Sequence, residues 1–147
     1  DEAQVMVLGV PDRPGIASDI LTPIADANIE VDMIVQNSGA DGTTDFTFTV
    51  HRNEHERTLE LLKPLAGKMG ARGVQGNNDI AKISVIGVGM RSHAGIASKM
   101  FKALAREAIN IHMISTSEIK ISVVVEEKYS ELGVRVLHSE FALEQRE

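Results

Sequence analysis

Three observations predict an α+β chain of two tandem units, each an antiparallel sheet with helices on one face. The first is an internal repeat. Val5 to Ile34 matches Val85 to Ile114 without a gap at an offset of 80, with 10 identities in 30 positions. The identities cluster at Gly15-Ile16-Ala17-Ser18 and Gly95-Ile96-Ala97-Ser98, where a strand hands over to a helix. The second is that strand-period and helix-period segments follow one another in the same order in both halves. The third is composition. Of 147 residues 43% are hydrophobic but only 3% aromatic, with no Trp and no Cys, so two small aliphatic cores are expected, without disulfides.

Gln4–Val10 is an apolar strand, and 11–15 (PDRPG) is a turn by composition. Ile16–Ala27 has helical spacing, with Ile16, Ile20 and Ile24 on one face. Pro23 removes one of its hydrogen bonds and is expected to bend it. Ile29–Gln36 alternates as a strand, 38–42 (SGADG) is a hairpin turn, and Thr44–Val50 places Phe46, Phe48 and Val50 on one face. A helix from about Asn53 to Lys68 points Leu59, Leu62 and Leu65 inward, shortened or kinked at Pro64. Ala71–Gln75 reads as a short closing strand, and Gly76-Asn77-Asn78-Asp79 as the boundary between units.

The second unit repeats the order. Lys82–Gly87 is a strand, 88–95 a loop, Ile96–Glu107 a helix, Ile109–Thr116 and Ile119–Val125 strands, and Tyr129–Phe141 a helix. Phe46–Val50 matches Ile121–Val125 at an offset of 75, so this hairpin is five residues shorter. The units are 1–78 and 79–147, and the final strand of the second is missing or supplied from elsewhere. The order β-α-β-β-α-β is the split β-α-β arrangement of ferredoxin-like folds. The face carrying Ile34 and Val124 is not uniformly polar, so contact with a partner is expected there.

A net charge of −6 and the lack of a Lys/Arg run argue against nucleic acid or an anionic membrane as partner. No segment has the length and apolarity of a membrane helix, no signal peptide opens the chain, and the absence of Cys permits a reducing cytoplasm. The chain starts at Asp1, not Met, so a processed or excised piece of something larger is expected.

No catalytic constellation emerges. Gly87-Val88-Gly89 follows a strand, but Ser92 stands where a dinucleotide fingerprint needs its third glycine. His51, His55, His93, His112 and His138 are scattered and form no metal set, and Glu126-Glu127 read as solvated. The repeated loop is more informative. Asp12-Arg13-Pro14-Gly15 and Ser92-His93-Ala94-Gly95 each precede a helix N-terminus, whose free N–H groups can hold a carboxylate. Asp12 could pair with an ammonium. Gln36-Asn37 and Thr116-Ser117-Glu118 add polar groups at matching places. Such a pocket fits a free amino acid; equally, Asp12 and Ser92 could simply cap their helices.

These residues carry a resemblance over essentially the whole chain. VLGVPDRPG at 7–15, Gln36-Asn37, DGTTDFTF at 41–48 and MISTSEI at 113–119 resemble the C-terminal regulatory region of bacterial aspartokinases, a pair of ACT domains. The resemblance implies feedback inhibition, by threonine and/or lysine, of aspartate phosphorylation on the route to lysine, threonine and methionine. It implies ligand contacts at Asp12, Gly15, Ile16, Ala17 and Gln36 in the first unit. In the second it implies Ser92, Gly95, Ile96, Ile111, His112, Thr116, Ser117 and Glu118. Threonine is favoured at the Asp12 loop and lysine at the other, with Glu118 toward its ε-ammonium. Because His112 stands for Asp32 and Ser92-His93 for Asp12-Arg13, the two sites should differ. The implied partners are free amino acids, a second ACT chain as homodimer, and the aspartokinase catalytic chain. No cofactor is expected in this chain; ATP and Mg belong to the kinase domain, which is absent here. The alternatives are an ACT-like dimerisation module that binds nothing, an RNA-binding module, which the acidic balance opposes, and a small acylphosphatase-like enzyme, for which no Arg and Asn pair is evident.

Overall fold

The computed structural model describes residues 1–87 and 93–145. Two compact units, Asp1–Asn78 and Asp79–Glu147, make up the chain. The first contains β1 (Glu2–Pro11), α1 (Ile16–Asp26), β2 (Val31–Ser38), β3 (Thr43–His51) and α2 (His55–Lys68). The strand β4 (Gly73–Ile86) crosses from the first unit into the second, which continues with α3 (His93–Arg106), β5 (Met113–Thr116), β6 (Lys120–Glu126) and α4 (Ser130–Gln145). Strands run β2-β3-β1-β4 through the first unit and β4-β6-β5 through the second, the arrangement of tandem ferredoxin-like units.

In the first unit, alternate residues Ala3, Val5 and Val7 of β1 and Phe46, Phe48 and Val50 of β3 are buried against Ile16, Ile20 and Ile24 of α1 and Leu59 and Leu62 of α2. Each such side chain removed from water contributes about 1.5–3 kcal/mol. Leu65 is only half-buried, and Ala66 takes the inward position instead. At 100° per residue, positions 59, 62 and 66 share a face, whereas a strict three-residue step drifts off it. In the second unit Ile83, Ile121, Val123 and Val125 pack on Met100, Ala103 and Leu104 of α3 and Leu137 of α4.

Strand register shows how the repeat was kept. Ile34 faces Phe48 in one unit and Ile114 faces Val123 in the other, which fits offsets of 80 and 75. The first strands differ: Val5 faces Phe48, but Ile83 faces Val123, an offset of 78. The gapless alignment at 80 therefore misplaces this strand by two residues. A slip of two returns every side chain to the same face, so hydropathy cannot reveal it. The helix exits repeat closely. Asn28 and Ala108 both take left-handed backbone, at φ 59 and 56. Ile29 and Ile109 each donate an N–H to the carbonyl five residues back, Ile24 and Leu104.

Several expectations are corrected. The two units divide between Asn78 and Asp79, within the boundary read at 76–79, but these residues belong to a 14-residue strand and not to a turn. Their turn-like composition is overridden by strand pairing. Helix α3 already includes His93, Ala94 and Gly95, which were expected in the loop at 88–95, β5 is only four residues long, and the rest of that loop, 88–92, lies outside the described residues. Pro23 and Pro64 both lie inside their helices, and α2 runs to Lys68 without being shortened at Pro64. The carbonyls they deprive of a donor belong to Asp19 and Glu60, both exposed, where water can replace the lost bond. Ile34 and Val124 differ in their place relative to the helices of their own units. Ile34 lies opposite Phe48 on the helix-covered side of its sheet, while Val124 lies opposite Lys82 on the other side and is fully buried.

The β4 segment also carries a steric constraint. His55 is buried with neither ring nitrogen hydrogen-bonded, and a Cβ on Gly76 would collide with its Nε2. We expect Gly76→Ala to destabilise the chain by about 1–3 kcal/mol through overpacking. Thermal or urea unfolding reads this. Adding His55→Ala should recover part of the loss, and strict additivity of the two changes would contradict the contact.

Candidate functional site

The turn between β1 and α1 is built on Gly15. This residue caps α1 with φ 90, a conformation open to glycine, and no side chain caps the helix. Asp12 is therefore not a helix cap. Its backbone N–H donates to the Gly42 carbonyl at 3.0 Å, which fastens the turn to the β2–β3 hairpin, and its carboxylate side is exposed. Arg13 turns away to pair with Asp19 at 2.8 Å. Ile16 is buried and Ala17 half-buried, so Asp12, Gly15 and the first-turn backbone of α1 form the accessible part.

Gln36 lies opposite Phe46 on β3 and shares the helix-covered side of the sheet. It and the Asp12 turn flank the same end of β3, about two strand spacings, or ~10 Å, apart in the sheet direction. The first set of sequence-derived residues is thus gathered at one end of one unit.

The second set is not gathered in the same way. Ser92 lies outside the described residues. Gly95 is inside the first turn of α3, not ahead of it, so it does not repeat the capping role of Gly15. Ile96 is half-buried beside it. Thr116, Ser117 and Glu118 sit at the β5–β6 turn, closed by the Ser117 N–H donating to the Lys120 carbonyl at 2.7 Å. Ile111 and His112 precede the opposite end of β5, four residues or about 13 Å from Thr116. His112 donates its backbone N–H to Val124 at 2.7 Å, and its side chain is exposed.

A polar hollow that the sequence reading missed lies in the first unit. It encloses about 360 Å³ between Asn37, Ser38, Asp41, Thr43, Asp45 and Arg72. A β-bulge in β1 produces it. Register shifts between Val7 and Val10, Gly9 takes φ 62, and its displaced N–H donates to Asp45 Oδ1 at 2.8 Å. Arg72 lies over the bulge, where a Cβ on Gly9 would stand 2.8 Å from its Nε. Thr43 donates its hydroxyl at 2.7 Å and its N–H at 3.1 Å to Asp41 Oδ1. These bonds, the hydroxyl first, hold the Asp41 carboxyl below its ordinary value of 3.8. The only sequence signal was the acidic and threonine-rich run at 41–45, since nothing local joins Arg72 to Gly9. Among the described residues no three His, Asp or Glu side chains converge as a metal site, and no helix is long and apolar enough to cross a membrane.

Removing the acceptor of the bulge N–H should cost about 1–3 kcal/mol. Asp45→Ala is therefore expected to lower the urea midpoint, and an unchanged midpoint would show that water replaces the carboxylate freely. Asp41 acts through pH. Because its folded value is depressed, its contribution is present above 3.8 and disappears as pH falls through the folded value. Acid titration of Asp41→Ala against the parent should show a shallower loss of stability in that range.

Comparison with known proteins places this geometry in a family. Two ACT domain models match, one over residues 4–67 and the other over 83–141. The aspartokinase of Pseudomonas aeruginosa is 64% identical over 144 residues, 98% of this chain and 35% of that protein. The aspartokinase of Helicobacter pylori is 51% identical over 145 residues, covering 99% and 35%. The chain thus spans about a third of the length of these curated relatives. A crystal structure of aspartokinase alpha and beta subunits superposes with a TM-score of 0.90 at 55% identity, covering 96% of this chain and 93% of that one. The ligand-free regulatory subunit of aspartate kinase from Thermus thermophilus gives 0.89 at 38% identity, with coverage of 96% and 93%. The chain belongs to the aspartokinase family, as its regulatory region of two ACT domains.

Proposed function

We propose that this chain is an amino-acid sensor that conveys feedback inhibition by threonine and/or lysine to an aspartate kinase. The observation that carries the reading is the N-terminus of α1, which no side chain caps, with left-handed Gly15 at its start and exposed Asp12 beside it. The first-turn N–H groups offer a carboxylate a place, Asp12 offers an ammonium a partner, and Gln36 faces the same end of the sheet. Similarity to regulatory subunits of aspartate kinase supports the assignment.

Threonine is assigned to Asp12, Gly15, Ile16, Ala17 and Gln36, where the ligand hydroxyl has an amide partner. Lysine is assigned to the second unit, with Glu118 toward its ε-ammonium. There Gly95 and Ile96 stand in α3, Thr116, Ser117 and Glu118 at the β5–β6 turn, and Ile111 and His112 ahead of β5. A ligand favouring one arrangement of the ACT pair shifts the kinase by its differential affinity, typically about 1–3 kcal/mol of coupling. The partners in this reading are a second ACT chain and the aspartokinase catalytic chain, in the cytoplasm, with ATP and Mg confined to the kinase domain.

Titration calorimetry with threonine and lysine, separately and together, tests the proposal. Heat with threonine that Asp12→Ala and Gln36→Ala each reduce about tenfold in affinity, the loss of one charge-assisted bond, is expected. No heat with either amino acid leaves the dimerisation module as the better reading.

A further inference from the structure

Among the aspartates and asparagines of the chain, Asp41 alone is followed by glycine. The pair sits at the tip of the β2–β3 hairpin, and both residues are exposed. Gly42 takes φ 80, and a Cβ there would have nothing within 4 Å. With no side chain of its own and open surroundings, its nitrogen is the least hindered kind of backbone nucleophile. The Asp41 carboxyl is bent toward it. Asp41 Oδ1 accepts from the Thr43 N–H at 3.1 Å, which closes a ring that runs through Cγ of Asp41 and the nitrogen of Gly42. The carbonyl of Gly42 in turn accepts the Asp12 N–H at 3.0 Å, the bond that fastens the β1–α1 turn to this hairpin. The second unit has no counterpart, since its shorter turn, 117–119, contains no aspartate.

We infer that Asp41-Gly42 is a modification site, where spontaneous isomerisation to isoaspartate unfastens the hairpin from the Asp12 turn. The Gly42 nitrogen attacks Cγ of the protonated Asp41 carboxyl. The C–OH bond breaks, the hydroxyl leaves with the N–H proton as water, and a five-membered imide forms. Water then adds to one of the two imide carbonyls. Breaking the Cγ–N bond restores aspartate. Breaking the bond between the main-chain carbonyl carbon and the nitrogen leaves isoaspartate, whose main chain runs through Cβ and Cγ. One water is released and one is taken up, so no other reactant is needed. The path from residue 41 to residue 42 grows by one carbon–carbon bond, about 1.5 Å. A hydrogen bond of 3.0 Å between Gly42 and Asp12 does not survive a displacement of that size. Thr43 restrains the step. An ionised carboxylate does not give up its oxygen, and the Thr43 hydroxyl at 2.7 Å, together with the Thr43 N–H, favours the ionised form and holds the group in place.

The protein is incubated at neutral pH, and isoaspartate is located by peptide mass spectrometry with electron-transfer fragmentation. Isoaspartate is expected to accumulate at residue 41 ahead of every other aspartate. Thr43→Val, which loses the hydroxyl bond, is expected to isomerise about tenfold faster, the effect of one charge-assisted bond. Thr43→Ser keeps the hydroxyl and is expected to match the parent. Absence of isoaspartate at residue 41 from both the parent and Thr43→Val overturns the inference, and so do equal rates in the two. The isoaspartate form of the parent is then separated by chromatography and its hydrogen exchange measured. Faster exchange of the Asp12 N–H than in the unmodified protein is expected, and unchanged exchange overturns the inference. Neither readout involves amino-acid binding, so failure of the proposed function leaves both intact.

Discussion

A strand buries every second side chain on one face, and in each unit helices cover that one face. This constraint governs what the duplicated chain could change. Ala3, Val5 and Val7 must meet Val50, Phe48 and Phe46 on the side of α1 and α2, and Ala81, Ile83 and Val85 must meet their partners toward α3 and α4. A shift of one residue would turn each set to the wrong side, while a shift of two leaves it in place. The first strands of the two units differ by such a shift. The hairpins differ by five residues, all of them lost in the loop, because Gln36–Phe46 and Thr116–Ile121 keep the same pairing. Length varies only where nothing has to alternate.

The same constraint decides what the sequence made legible. Helix and strand identities, the inward isoleucines of α1 and the inward aromatics of β3 followed from periodicity, because burial writes itself into the pattern of apolar residues. The two-residue slip did not, since the pattern is unchanged by it. The continuity of β4 was also hidden. Gly76-Asn77-Asn78-Asp79 has turn chemistry, but pairing is a tertiary effect and outweighs a local preference worth about 1 kcal/mol. The bulge at Gly9 was invisible for a related reason. It joins Asp45 and Arg72, which are 36 and 63 positions away, and no local pattern records such a meeting.

Of the candidate site, the sequence showed the loop but not its geometry. Asp12, Gly15 and Gln36 stood out by residue type and position, and the fold brings them to one end of the first unit. Their counterparts did not follow as a set, because alignment preserves order along the chain while a site depends on which end of a strand a residue occupies. His112 and Thr116 are close in sequence and mark opposite ends of β5, His112 just before it and Thr116 as its last residue.

Gly15 and Gly95 make the difference between identity and role concrete. They are the same residue at the same place in the repeat. Gly15 holds a left-handed cap with no side chain bonded to the first turn of α1, whereas Gly95 is already inside α3. In the first unit the glycine is required by backbone conformation; in the second a helical residue of any kind satisfies the backbone there. The helix face below both is held by burial, with Ile20 and Ile24 answering to Met100 and Leu104, all fully buried. The core therefore sets where each helix lies, and the turn ahead of it is left to vary. A duplication retained in this way keeps two scaffolds alike while freeing their ends to present different backbone donors, and that freedom is what two distinct amino-acid sites would need.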